Sequence, residues 1–122
     1  MAQILVVDDS STVRVEVSEF LKQNGLTVAT AIDGRDGLSK LQADPGIRLI
    51  VSDVNMPNMD GISFVTQVKQ HPKHRFIPVV MLTTEGEDEV KNRGRLAGAK
   101  AWMVKPFNPP QLLDAVSKLV LP

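Results

Sequence analysis

Short apolar runs alternate with segments of helical period along the whole chain, and this alternation limits the folds open to it. Ile4, Leu5, Val6 and Val7 form a run rich in β-branched residues, stopped by Asp8-Asp9-Ser10-Ser11. Val13, Val17, Phe20 and Leu21 then recur at helical spacing, and Asn24-Gly25 ends that helix. A weaker strand is read at residues 28–32, followed by Asp33-Gly34; Leu38 and Leu41 mark a second helix that closes near Pro45-Gly46. Leu49-Ile50-Val51 reads as a strand ending at Ser52-Asp53, ahead of a loop of turn residues from Asn55 to Gly61. Phe64, Val65 and Val68 give one face of a third helix. Strands at residues 77–82 and 99–104 bracket a polar helix at residues 85–97, in which Val90 and Leu96 are the clearest large apolar residues. Pro109 and Pro110 open a last helix capped by Asn108, with Leu112, Leu113, Val116, Leu119 and Val120 as its expected buried face.

Five strands alternating with five helices must pair in parallel, because each helix carries the chain back across the sheet. The near-continuous apolar strands suit a sheet covered on both faces, so the expected architecture is three layers, α/β/α. A chain of 122 residues is one domain in size. Lys plus Arg and Asp plus Glu number 14 each, and this zero formal balance lacks the basic footprint of a nucleic-acid-coating protein. The absence of cysteine excludes disulfides, thiolate metal sites and a cysteine nucleophile. No apolar run approaches the ~20 residues of a membrane span, and Met1-Ala2-Gln3 is no signal-peptide start, so a cytoplasmic location without membrane contact is expected.

In an open α/β sheet the functional crevice lies beyond the carboxyl ends of the strands. The first strand delivers Asp8 and Asp9 there, the third Asp53, the fourth Thr83 and Thr84, and the fifth Lys105 before Pro106. Three adjacent carboxylates repel one another, and a hard divalent cation such as Mg²⁺ relieves the repulsion. An ammonium and a hydroxyl beside it can hold the oxygens of a phosphoryl group in transfer, and a carboxylate oxygen can accept it as an acyl phosphate. Each group also has a plainer reading. Asp8 and Asp9 could cap the first helix, Thr83 or Thr84 the fourth, and Lys105 could be solvated. Phe107 and Trp102 could be packing, His71 and His74 are expected to be solvated, and residues 85–89 could be an acidic helix start.

Val7-Asp8-Asp9-Ser10, Asp53-Val54-Asn55-Met56-Pro57-Asn58-Met59-Asp60-Gly61, Met81-Leu82-Thr83-Thr84-Glu85 and Lys105-Pro106-Phe107 together resemble the receiver domain of two-component response regulators, and among these the stand-alone chemotaxis type. The resemblance covers the chain almost end to end. It implies a flavodoxin-like, doubly wound, five-stranded parallel sheet of order 2-1-3-4-5, with five helices. It also implies that Asp53 is the phosphoacceptor, and that Asp8 and Asp9 bind Mg²⁺ together with Asp53 and the main-chain carbonyl of Asn55. Thr83 would hydrogen-bond the phosphoryl group and move on its arrival, Lys105 would pair with it, and the Lys105–Pro106 bond would be cis. Asn55 and Glu85 would modulate phosphoryl lifetime. Trp102 stands where the family usually carries a Tyr or Phe coupled to the threonine, which bears on the form of the switch.

The implied donor is a phosphohistidine on a chemotaxis-type histidine kinase. Only Leu121-Pro122 follow the last helix, so a single receiver domain at residues 1–122, monomeric and without an output domain, is expected to act by binding a partner. A flagellar motor switch protein or a phosphatase is such a partner; phosphorelay or phosphate-sink service is the alternative. The domain would catalyse its own phosphorylation and dephosphorylation and would not be a turnover enzyme. Two rival classes fit less well. A haloacid-dehalogenase-type phosphatase needs an Asp-x-Asp nucleophile after the first strand, which Asp8-Asp9-Ser10 is not. A flavodoxin-like carrier would place its flavin phosphate against two aspartates.

Overall fold

The computed structural model describes residues 2–83 and 97–120. The elements run β1 (Ile4–Val7), α1 (Ser11–Gln23), β2 (Val28–Ala31), α2 (Gly34–Ala43), β3 (Leu49–Asp53), α3 (Gly61–Gln70), β4 (Val79–Thr83), β5 (Ala101–Val104) and α4 (Pro109–Leu119). Of the expected fourth helix, all but Ala97 lies outside the described residues, as do Thr84, Glu85, Val90 and Leu96. Every expected strand is present, within about two residues of its expected ends.

The strands form one sheet in the order β2-β1-β3-β4-β5. All four pairings are parallel, with Ile4 level with Val28 and Leu49, Asp53 with Leu82, and Met81 with Trp102. Period-2 alternation divides the strand side chains between two cores. Leu5, Val7, Ile50, Val79 and Met81 face α2 and α3, where they meet Leu41, Phe64, Val65 and Val68. Ile4, Val6, Leu49, Val51, Val80 and Leu82 face α1 and α4, meeting Val17, Leu21, Leu112 and Val116. Burial of each such side chain contributes about 1.5–3 kcal/mol, which is why the central strands read as unbroken apolar runs.

The last helix buries Leu112 and Val116, while Leu119 and Val120 pack at the margin of this core and Leu113 is half-buried outside it. Phe107 is packing, as expected, against the Phe20 ring at 6.0 Å. His74 departs from expectation. It is buried, not solvated, and stacks on His71 with ring centres 4.1 Å apart. Helical period was no guide there, because the turn that buries it lies between elements.

Each described helix opens on a side-chain cap. Ser10 accepts from Val13 N–H, Asp33 from Asp36, Asp60 from Ser63 and Asn108 from Gln111. A cap of this kind is worth about 1 kcal/mol. Because every one of these helices follows a strand, the caps collect at the carboxyl edge of the sheet, beside the polar residues that end the strands.

Candidate functional site

Asp8 directly follows β1 and Asp53 ends β3, its neighbour in the sheet, so two carboxylates arrive side by side. Both are buried, at 1% and 5% exposure, while Asp9 stands exposed at the rim. One oxygen from each of Asp8, Asp9 and Asp53 lies within 4.8 Å of the others. Lys105, just past β5, reaches across with Nζ 2.8 Å from Asp8 Oδ2 and 3.2 Å from Asp53 Oδ1. Its own N–H donates to the carbonyl of Thr83 at 2.7 Å, which ties the ends of β4 and β5 together beneath the ammonium. The Lys105–Pro106 bond is cis, as expected.

Burial raises the Asp53 carboxyl, and the charge of Asp8 adds to it. Lys105 and a 2.8 Å bond from Val54 N–H to Oδ1 oppose the rise, leaving the group at about 6. Burial also works to lower Lys105, but its hydrogen bond to Asp8 and the charges of Asp53 and Asp8 outweigh that and hold the ammonium above its ordinary value. Three carboxylates facing one ammonium leave an excess of negative charge of two when all are ionised. An all-oxygen, partly exposed donor set with such an excess suits a hard divalent cation that keeps some of its water. These residues therefore fit Mg²⁺.

Supporting contacts were not visible as motifs. Ser10 N–H donates to Asp8 Oδ1 at 2.9 Å, and the Arg14 guanidinium donates to the Asp8 carbonyl at 2.6 Å. Gly61 lies so close under the end of β3 that a Cβ there would overlap the Asp53 carbonyl; its N–H donates to Val54 O at 2.7 Å. Asn58, at φ +66°, donates to Asp33 Oδ2 at 2.8 Å and ties the loop after β3 to the start of α2. That bond and the Asp36 N–H hold the Asp33 carboxyl below its usual value, with the Asp36 bond the larger cause. The Asp60-Gly61 and Asn58 turn signals were legible; their contact with Asp53 and Asp33 was not.

Thr83 ends β4 and is wholly buried. Asn55 is exposed in the loop after Asp53. Trp102 lies in mid-β5, half-buried against the α2–α3 core, and its buried Nε1 has no hydrogen-bond partner among the described residues. It is thus set back from the carboxylates, which Lys105 joins. Glu85 lies outside the described residues.

A doubly wound parallel sheet with an acidic cluster and a lysine at its carboxyl edge defines a class, the receiver-type signalling domain. The chain belongs to the response regulator receiver domain family, which it matches over residues 4–117. It is 35% identical over 120 residues to the chemotaxis protein CheY of Treponema pallidum, covering 97% of this chain and 82% of that one. It is 36% identical over 114 residues to protein PilG of Pseudomonas aeruginosa, covering 93% and 84% of the two chains. Among solved structures, chemotaxis protein CheY4 of Vibrio cholerae superimposes with a TM-score of 0.91 at 45% identity, covering 98% of this chain and 99% of that one. The chain is a CheY-like receiver domain of two-component signal transduction. The family match also decides against the phosphatase and flavodoxin alternatives.

Proposed function

We propose that Asp53 accepts a phosphoryl group from a phosphohistidine of a chemotaxis-type histidine kinase, in a Mg²⁺-dependent reaction, and that this switches a protein-binding surface. The observation that carries the reading is the meeting of Asp53 with Asp8, Asp9 and Lys105 at one strand edge. Asp53 Oδ1 is engaged by Val54 N–H and Lys105. Oδ2 is therefore the oxygen for attack on phosphorus. The new O–P bond forms as the P–N bond to the donor imidazole breaks, and the imidazole leaves with the bonding pair. Asp8, Asp9, Asp53 and the main-chain carbonyl of Asn55 would hold Mg²⁺, which when bound would supply positive charge against the phosphoryl oxygens. Lys105 exchanges part of its pairing with Asp53 for a phosphoryl oxygen, and the Thr83 hydroxyl donates to another. Hydrolysis reverses the state when water attacks phosphorus and the Asp53 carboxylate departs; by their places in the sequence motif, Asn55 and Glu85 are the residues that would modulate that step. The domain is a phosphoacceptor and not a turnover enzyme.

Similarity to the chemotaxis protein CheY supports a chemotaxis output. The partner proposed for a monomeric, cytoplasmic domain is a flagellar motor switch protein or a phosphatase. The test is labelling with acetyl phosphate. We expect stoichiometric, Mg²⁺-dependent phosphorylation that is lost in Asp53→Asn, and a change in Trp102 emission on addition of beryllofluoride and Mg²⁺. Labelling that survives Asp53→Asn would refute the site; an unchanged emission would refute coupling of Trp102 to it.

A further inference from the structure

The two aspartates that follow β1 are held very differently. Asp8 is fixed through every polar group it has. Its N–H donates to the Ala31 carbonyl at 3.1 Å, and its Oδ1 accepts from Ser10 N–H at 2.9 Å. Its Oδ2 lies 2.8 Å from Lys105 Nζ, and its carbonyl accepts from the Arg14 guanidinium at 2.6 Å. Asp9 is exposed, and its side chain makes no hydrogen bond or ion pair with the described residues. An oxygen of Asp9 nevertheless lies within 4.8 Å of oxygens of both Asp8 and Asp53. Neighbouring carboxylates repel one another, so an unsupported Asp9 would swing outward into water.

The backbone supplies the support that the side chain lacks. The carbonyl of Asp8 and the N–H of Asp9 belong to one planar peptide unit. Fixing that carbonyl fixes the plane, and with it the direction in which Asp9 leaves the loop. Arg14 is well placed to do so. It stands in the first turn of α1, where its own N–H donates to the Ser10 carbonyl at 3.0 Å and Ser10 caps the helix through Val13 N–H. Its side chain therefore reaches back from a rigid helix start onto the loop that precedes it. Arg14 is half-buried and pairs with no carboxylate among the described residues, so its donors are not committed to an acid. A charged donor on a carbonyl is among the stronger hydrogen bonds.

We propose that Arg14 is a positioning residue for the metal site. By gripping the peptide plane between Asp8 and Asp9 it holds the Asp9 carboxylate in place for Mg²⁺, and so sets the Mg²⁺ concentration at which Asp53 is phosphorylated. The inference rests on the reading of Asp53 as a Mg²⁺-dependent phosphoacceptor, and adds to it a residue of α1 that lies outside the strand-end motifs. The sign of the effect separates this role from a plain electrostatic one. A guanidinium beside three carboxylates repels a second cation, so the loss of its charge alone would tighten Mg²⁺ binding. Loss of its grip on the peptide plane frees Asp9 and weakens binding.

The test is calorimetric titration of Mg²⁺ alone into the full chain, with the metal-free thermal midpoint and acetyl phosphate labelling measured on the same samples. Arg14→Met keeps an unbranched side chain of good helix propensity and removes donor and charge together. It should raise the Kd for Mg²⁺ about tenfold, the low end for loss of an outer partner of a metal site. The Mg²⁺ dependence of labelling should shift by the same factor, with most of the rate recovered at saturating Mg²⁺. In an Asp9→Asn background, Arg14→Met should change the Kd by less than about twofold, because the carboxylate it positions is gone. Unchanged or tighter Mg²⁺ binding in Arg14→Met would overturn the proposal, as would an equal loss in the Asp9→Asn background. A fall in the metal-free midpoint with no change in Kd would also overturn it, by assigning Arg14 a purely structural role. Failure of the unsubstituted chain to bind Mg²⁺ would instead refute the phosphoacceptor reading on which the proposal rests.

Discussion

Lys105 bridges two carboxylates that could not otherwise share a buried edge, with Asp8 at 2.8 Å and Asp53 at 3.2 Å. Removing one partner of a buried charged group exposes the others to their own repulsion, so the effect should exceed that of a surface pair. Lys105→Met is expected to lower the rate of acetyl phosphate labelling about 10²-fold, the scale for loss of one positioned donor to a transferring group. A single-turnover assay at saturating Mg²⁺ checks this; a loss under threefold would show that Lys105 serves only the resting state. Asn58 offers a second test. Its φ of +66° favours Asn or Gly, and its amide is bonded to Asp33. Asn58→Ala forfeits both and should cost about 1–2 kcal/mol by urea unfolding. Asn58→Gly forfeits only the bond and should cost less. The Asp53-Val54-Asn55 and Lys105-Pro106 signals were legible because each sits at a strand end. The Arg14 contact with the Asp8 carbonyl was not, since one arginine on a polar helix face has no pattern to distinguish it.

The start of α3 is locked to the end of β3 at Gly61. Alanine at that position would improve helix propensity by up to ~1 kcal/mol. Its Cβ, however, would meet the Asp53 carbonyl and carbon and the Val54 Cα, none of which can rotate away. The overlap should dominate, with a net loss of about 1–3 kcal/mol in Gly61→Ala. Labelling should fall as well, because the strand end that carries Asp53 must shift. Urea unfolding and acetyl phosphate uptake on the same sample check both; an unchanged stability would show that the helix start simply moves. The alternation of elements predicted these helices because apolar spacing and caps are local signals. The intimacy of this contact was invisible, since Gly61 reads first as a turn residue after Asp60.

For the molecule as a whole, two buried titrations act on stability in opposite senses. His74 has a native value below its usual 6.5, so the unfolded chain takes up its proton first. Stability from this group is fully present above about 6.5 and is lost as pH falls below that. Asp53 is the reverse. Its native value is raised from 3.8 to about 6, so its unfavourable ionisation appears as pH rises through that interval. In an Asp53→Asn background the second effect is gone, and thermal stability is expected to fall steadily between about pH 7 and pH 5. Adding His74→Phe should flatten that fall. A slope unaffected by His74→Phe would assign the effect to another group.

By itself the sequence determined the α/β alternation, the parallel pairing that follows from it, and the residues at each strand end, because period, caps and turn chemistry are written over a few neighbouring positions. The tertiary structure decided which of those ends converge and which partners support them. Asp8 and Lys105 are separated by nearly the whole chain yet meet at 2.8 Å, a contact set by strand order. It also decided that His74 is buried instead of solvated, since burial in a loop depends on what packs over it and leaves no periodic trace in the chain.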